Sequence, residues 1–156
     1  MANIILITHG EKRRNLPNPG LTKKGERQVR KLKKILQKLS LPAKIYCGVG
    51  ARHNQTARLL GLTPTMQTPL LGPTVSRSRE NKNVFLADGT VIPAENYESI
   101  SEAGTQYVRE LVVDAIVITS RPVIRRLSGN DIKPSLATIY CYDTVTGKFE
   151  EYNNDG

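Results

Sequence analysis

Ile4-Ile5-Leu6-Ile7-Thr8-His9-Gly10-Glu11 carries an imidazole from the end of a short apolar, β-branched run straight into a glycine turn. Ligands of α/β proteins bind at loops leaving the carboxyl ends of strands, and a glycine there lets backbone approach a ligand with no side chain in the way. His9 is therefore a candidate functional residue, against the blander reading of a histidine that merely ends a strand. The chain's one other histidine is His53, so chemistry that needs two imidazoles has little to draw on.

Downstream of this run, a helical period starts at Leu21-Thr22 and continues to about Leu39. Val29, Leu32, Leu36 and Leu39 lie on one face beside Ile35, and Thr22 is placed as N-cap. Pro42 closes the helix, residues 43–48 read as a second strand, and residues 52–60 read as a second helix. Residues 63–100 are proline-rich and polar, with 84–86 and 90–92 flanking Asp88-Gly89 like a hairpin. They read as an insertion over the site. Residues 101–111 are expected to be helical and 115–119 a buried strand, with a helix over 122–127 that has proline in its first turn. Residues 136–143 and 148–152 suit a closing antiparallel pair. Strands alternating with helices predict an α/β fold, a three-layer α/β/α sandwich with a mostly parallel sheet, in one domain over 1–156.

Composition agrees with a globular domain: 38% hydrophobic and 24% charged over 156 residues. The net charge of +9, from 23 basic and 14 acidic side chains, favours an anionic partner: a phosphorylated small molecule, a phosphoprotein or nucleic acid. Lys23, Lys24, Arg27, Arg30, Lys31, Lys33, Lys34 and Lys38 line the outer face of the first helix, over 22–39. That face reads first as solvated and second as a surface for nucleic acid or an acidic protein. It lacks the interleaved aromatics that stack single-stranded bases. Cys47 and Cys141 lie far apart in apolar runs with no Cys-x-x-Cys spacing, which predicts buried strand residues and neither metal nor cofactor. The run Ile4 to Ile7 is far too short for a signal peptide or a membrane span, so a cytoplasmic protein with no membrane partner is expected.

Three loops follow apolar strands: Thr8-His9-Gly10, residues 48–52, and Ser120-Arg121-Pro122. Parallel strands would gather them at one edge, where His9 meets Arg52 and Arg121, guanidinium groups that grip phosphate oxygens in pairs. Here the chain resembles the histidine phosphatase superfamily, with its phosphoglycerate mutase-like fold. The opening Arg-His-Gly-Glu-x-x-x-Asn of that family is matched at His9, Gly10, Glu11 and Asn15. Its Leu-Thr-x-x-Gly-x-x-Gln is matched by Leu21-Thr22-Lys23-Lys24-Gly25-Glu26-Arg27-Gln28, and its Arg-Ala-x-Gln-Thr-Ala by Arg52-His53-Asn54-Gln55-Thr56-Ala57. Its Ser-His-Gly-Gly-Val-Ile-Arg corresponds to Ser120-Arg121-Pro122-Val123-Ile124-Arg125 with the residue before, Thr119.

The resemblance implies that His9 attacks phosphorus and that Arg52 clamps the phosphoryl oxygens. The departures fall on the same machinery. Thr8 stands where the family has an arginine, and Ser120 where it has a second histidine, each keeping a hydroxyl that donates a neutral hydrogen bond. A preorganised donor is worth about 10²–10³ in rate, so slow or no phosphomonoester hydrolysis is expected from such an eroded pocket. Arg121 is a candidate replacement cation, whereas Lys12-Arg13-Arg14 reads as surface charge. His53 neighbours Arg52 on a helix, about 100° around it, and reads as a buried or solvent-edge residue. The family's carboxylic acid has no counterpart in Thr68-Pro69-Leu70-Leu71-Gly72-Pro73. Glu80 is the next candidate, with Asp88 and Glu95 further away. The alternatives are an active phosphatase, for phosphomonoesters or phosphohistidine, working through phospho-His9, or a basic interaction module.

Overall fold

The computed structural model describes residues 2–14, 19–72, 83–85, 91–93 and 97–152. Its elements in chain order are β1 (Asn3–Thr8), α1 (Lys23–Leu36), β2 (Lys44–Cys47), α2 (Ala51–Leu59), β3 (Met66–Gln67), β4 (Asn83–Phe85), β5 (Val91–Pro93), α3 (Tyr97–Arg109), β6 (Ala115–Thr119), α4 (Arg121–Leu127), β7 (Ile139–Asp143) and β8 (Phe149–Glu151). Six strands form one mixed sheet in the order β3-β2-β6-β1-β7-β8. The first four run parallel, and β7 and β8 complete the sheet as the expected antiparallel pair. The hairpin read around Asp88-Gly89 is present as β4 against β5, with Val84 opposite Ile92. The turn itself and the rest of the expected insertion lie outside the described residues.

The pleat of β1 and β6 sorts the core. Ile4, Leu6, Ala115 and Val117 pack with Val108 of α3 and with Val123, Ile124 and Leu127 of α4. Ile7, Ile116 and Ile118 pack on the other face with Val29, Leu32 and Leu36 of α1 and with Ala57 of α2. Alternate residues of a strand face opposite ways, so one continuous apolar run serves two helical layers. Each large aliphatic so covered contributes about 1.5–3 kcal/mol. The α/β/α reading holds. Cys47 and Cys141 are free thiols, and burial pushes the Cys47 thiol up to about 12. Among the described residues no helix is long and apolar enough to cross a membrane.

Differences from the sequence reading are local. α1 begins as expected, at Lys23 behind the Thr22 cap, whose hydroxyl accepts the Gly25 N–H at 2.9 Å, but it ends at Leu36 rather than near Leu39. β3, within residues 63–100, has no signature in the sequence. Two residues are too few to show alternation, and β3 exists through its register with Tyr46 and Cys47 of β2. α3 starts at Tyr97 rather than at Ser101.

Candidate active site

Strand ends and one helix N-terminus converge on His9. Thr8 of β1 pairs with Thr119 of β6, so the next residues, His9 and Ser120, leave adjacent strands side by side. α2 begins just after β2 and brings Arg52 and His53 to the same place; all four side chains are buried.

The geometry selects the His9 tautomer. Nδ1 lies 2.7 Å from the Gly10 carbonyl oxygen, which only accepts, so Nδ1 carries the hydrogen and Nε2 the lone pair. Arg52 Nε donates to that Nε2 at 3.3 Å. Burial foremost, then the Arg52 charge, followed more weakly by Lys12 and Arg121, lowers the His9 pKa to about 3, against a raising contribution from the Gly10 hydrogen bond. His9 is thus a neutral imidazole at physiological pH, the lone pair of its Nε2 turned toward a buried guanidinium.

The motif residues around it are braces. Thr56 Oγ1 donates to the Arg52 carbonyl at 2.7 Å and accepts the Gly10 N–H at 3.3 Å, tying α2 to the histidine loop. Gln28 Oε1 accepts the Glu11 N–H at 3.0 Å, and Gln55 Oε1 accepts the Leu21 N–H at 2.6 Å. α1 can approach this closely because Gly25 faces Gly10: a Cβ at Gly10 would lie 2.6 Å from the Gly25 carbonyl oxygen, and one at Gly25 would run into the Glu11 carbonyl.

Two residues that the sequence reading sets aside belong to this cluster. Lys12 reads as surface charge in the sequence, but its bridge to Leu21 holds it partly buried, while Arg13 and Arg14 stay exposed. Burial foremost, then Arg52 and Arg121, lowers its ammonium pKa to about 8. Helical spacing points His53 away from Arg52. Its ring instead stands edge-on to His9, centroids 5.0 Å apart and planes at 72°, with Nε2 2.9 Å from Ser120 Oγ. Both helix neighbours reach the pocket because they sit in the first turn of α2, where side chains tilt toward the helix N-terminus. Arg121 is exposed at the start of α4, yet its charge acts on both His9 and Lys12.

The Thr8 hydroxyl is taken up by the segment before β7. It donates to the Ser135 carbonyl at 2.7 Å and accepts the Thr138 N–H at 2.9 Å, fastening that segment to β1. Thr8 is fully buried, on the strand face shared by Ile4 and Leu6. Thr8→Arg is therefore expected to destabilise the fold by about 3 kcal/mol or more, through a buried charge and two lost hydrogen bonds. Urea unfolding checks this, and an unchanged midpoint would mean that the position is open. Asn15 and Glu80, and with them Asp88 and Glu95, lie outside the described residues. Among the described residues no group of three or more His, Cys, Asp or Glu is placed to hold a metal ion.

This sheet order, with paired helical layers and a histidine at the end of β1, is an α/β fold of the phosphoglycerate mutase type. The chain is similar to the product of the Mycobacterium tuberculosis open reading frame Rv3214, with TM-score 0.69 and 18% identity over 97% of this chain and 96% of that one. It is similar also to the protein histidine phosphatase SixA in complex with tungstate, with TM-score 0.61 and 17% identity over 96% of this chain and 94% of that one. A third structure of this fold is phosphoglycerate mutase from Thermus thermophilus, with TM-score 0.60 and 23% identity over 90% and 92% of the two chains. No protein-family model and no curated protein sequence matches the chain.

Proposed function

We propose that this pocket binds the phosphoryl group of a phosphorylated small molecule or phosphoprotein, and that His9 accepts it, making the protein a slow histidine phosphatase-like enzyme. The observation that carries the reading is the state of His9. Its imidazole is neutral, its Nε2 lone pair faces a buried arginine, and the charged groups that act on it, Arg52, Lys12 and Arg121, are all cationic. A cluster of like charges that depress one another's protonation is stabilised by an anion placed among them. The tungstate bound by SixA is a tetrahedral oxyanion with the shape of phosphate, which supports the same kind of ligand here.

In the reaction, the Nε2 lone pair forms a bond to phosphorus as the bond to the leaving group breaks and that group departs with the electron pair. Water then cleaves the N–P bond, returning His9 and releasing phosphate. Arg52 would stabilise the charge that builds on the phosphoryl oxygens. The turnover is slow in this reading because the family's first arginine is absent at Thr8, whose hydroxyl is engaged elsewhere.

Titration with tungstate tests the binding step, since that anion stays doubly charged from pH 7 to 9. The wild type is expected to bind at pH 7, and Arg52→Ala to weaken binding by about 10-fold or more, the value of a charge-assisted hydrogen bond. Lys12 is charged below about 8 and neutral above it, so affinity should fall as pH rises through 8, and Lys12→Met should flatten that fall. No binding by the wild type, or equal binding by Arg52→Ala, would overturn the proposal.

A further inference from the structure

We infer that His53 is a positioning residue that works through Ser120, turning the Ser120 hydroxyl into the phosphoryl-oxygen donor that a second active-site histidine would otherwise supply. The inference rests on the proposed phosphate pocket and concerns how that pocket is completed. Its basis is a hydrogen-bond account of two buried groups. His53 is fully buried, and its Nδ1 has no hydrogen-bond partner among the described residues, while its Nε2 lies 2.9 Å from Ser120 Oγ. Two arrangements fit that contact. In one, the serine O–H donates to Nε2, so the ring hydrogen sits on Nδ1 as a buried N–H with no acceptor. In the other, Nε2–H donates to Oγ and Nδ1 keeps only a lone pair. Orphaned buried N–H groups are the rarer and costlier defect, so the second arrangement prevails.

This choice releases the serine hydrogen. With Nε2–H donating to Oγ, the Ser120 O–H is free to donate, and no acceptor for it is found among the described residues. Ser120 leaves β6 beside His9, and His53 touches both, so an oxyanion seated against His9 lies where that hydroxyl can reach. A hydroxyl that accepts one hydrogen bond becomes a better donor in the next, which gives the pair part of the strength a single imidazole donor would have.

Two glycines make room for this pair. A Cβ at Gly72, where φ is +130°, would come within 2.8 Å of Ser120 Oγ and close to His53 Nε2, and a Cβ at Gly48 would lie 2.9 Å from the His53 ring. Burial foremost, then the coupling to a second imidazole at His9 and the charges of Arg52 and Lys12, keeps the His53 pKa well below that of a free imidazole, so the ring donates as a neutral group.

The experiment combines tungstate titration with nitrogen-15 NMR of the imidazoles. His53→Phe and Ser120→Ala should each weaken tungstate binding by about 10-fold, the double variant should be no worse than either alone, and His53→Gln, which keeps an N–H near the Nε2 position, should recover most of the loss. Additive losses, or full affinity in His53→Phe, would overturn the inference while leaving the phosphate pocket standing. Absence of wild-type binding would remove both. Should the variants fail to fold, the tautomers are read in the unmodified protein, where two histidines give two ring spin systems. His53 is expected as the Nε2–H tautomer and His9 as the Nδ1–H tautomer. An Nδ1–H tautomer at His53 would overturn the inference.

Discussion

His9→Ala is expected to abolish covalent phosphoryl transfer while sparing much of the oxyanion affinity. Incubating the wild type with an aryl phosphate labelled on phosphorus and quenching in alkali should leave label on the protein, because the N–P bond of phosphohistidine survives base and breaks in acid. The alanine variant should take none, and its turnover should fall by roughly 10³-fold or more, since a covalent route without its nucleophile keeps only the residual help of the binding groups. Binding should behave differently, because Arg52, Lys12 and Arg121 supply the charge and remain in place. The separation of the two readouts is what makes the result specific to a nucleophile. Turnover that survived His9→Ala would place the chemistry elsewhere on the protein. A wild type that bound tungstate and took no label would remove the phosphatase part of the proposal and leave the binding pocket.

The legible parts of this site are those where local pattern and tertiary placement coincide. A β-branched run ending in His-Gly reads as a strand delivering a histidine, and β1 does this. Gln28, Gln55 and Thr56 are visible as a pattern, but their work as braces to the N–H groups of Glu11, Leu21 and Gly10 depends on two helices meeting one loop. His53 escapes helical spacing, which treats side chains as spokes around a cylinder. At the end of a helix that abuts a pocket, neighbouring spokes converge through their length and tilt. Lys12 is hidden by its company: three consecutive basic residues resemble a solvated run, and only the backbone bridge to Leu21 turns the first of them inward. Thr8 departs in the opposite sense. Its place before the histidine suggests a donor aimed at ligand, whereas the pleat gives its hydroxyl to Ser135 and Thr138.

Acid should destabilise this protein well before its carboxylates titrate, and the two histidines of the chain, both buried, are the reason. In the unfolded chain an imidazole has a pKa of about 6.5, whereas the folded protein holds His9 at about 3 and His53 well below 6.5. Between these values the unfolded state binds more protons, so stability is full above pH 6.5 and declines as pH falls. The slope is about 1.4 kcal/mol per pH unit for each such histidine, so His9 alone removes about 2 kcal/mol by pH 5, and His53 adds to the loss in the same direction. Ordinary carboxylates change charge mostly below pH 5, which leaves the window from 6.5 to 5 to the imidazoles. Urea midpoints measured across that window should fall steadily in the wild type and less steeply in His9→Ala, so that the stability difference between the two moves in the variant's favour by about 2 kcal/mol from pH 6.5 to pH 5. A flat wild-type profile would show that His9 takes up a proton freely in the folded state. That outcome would contradict its burial against Arg52 and, with it, the availability of its Nε2 lone pair for attack in mildly acidic solution. The cost in acid stability and the readiness of His9 for its proposed role as nucleophile thus have one cause, and the measurement tests both.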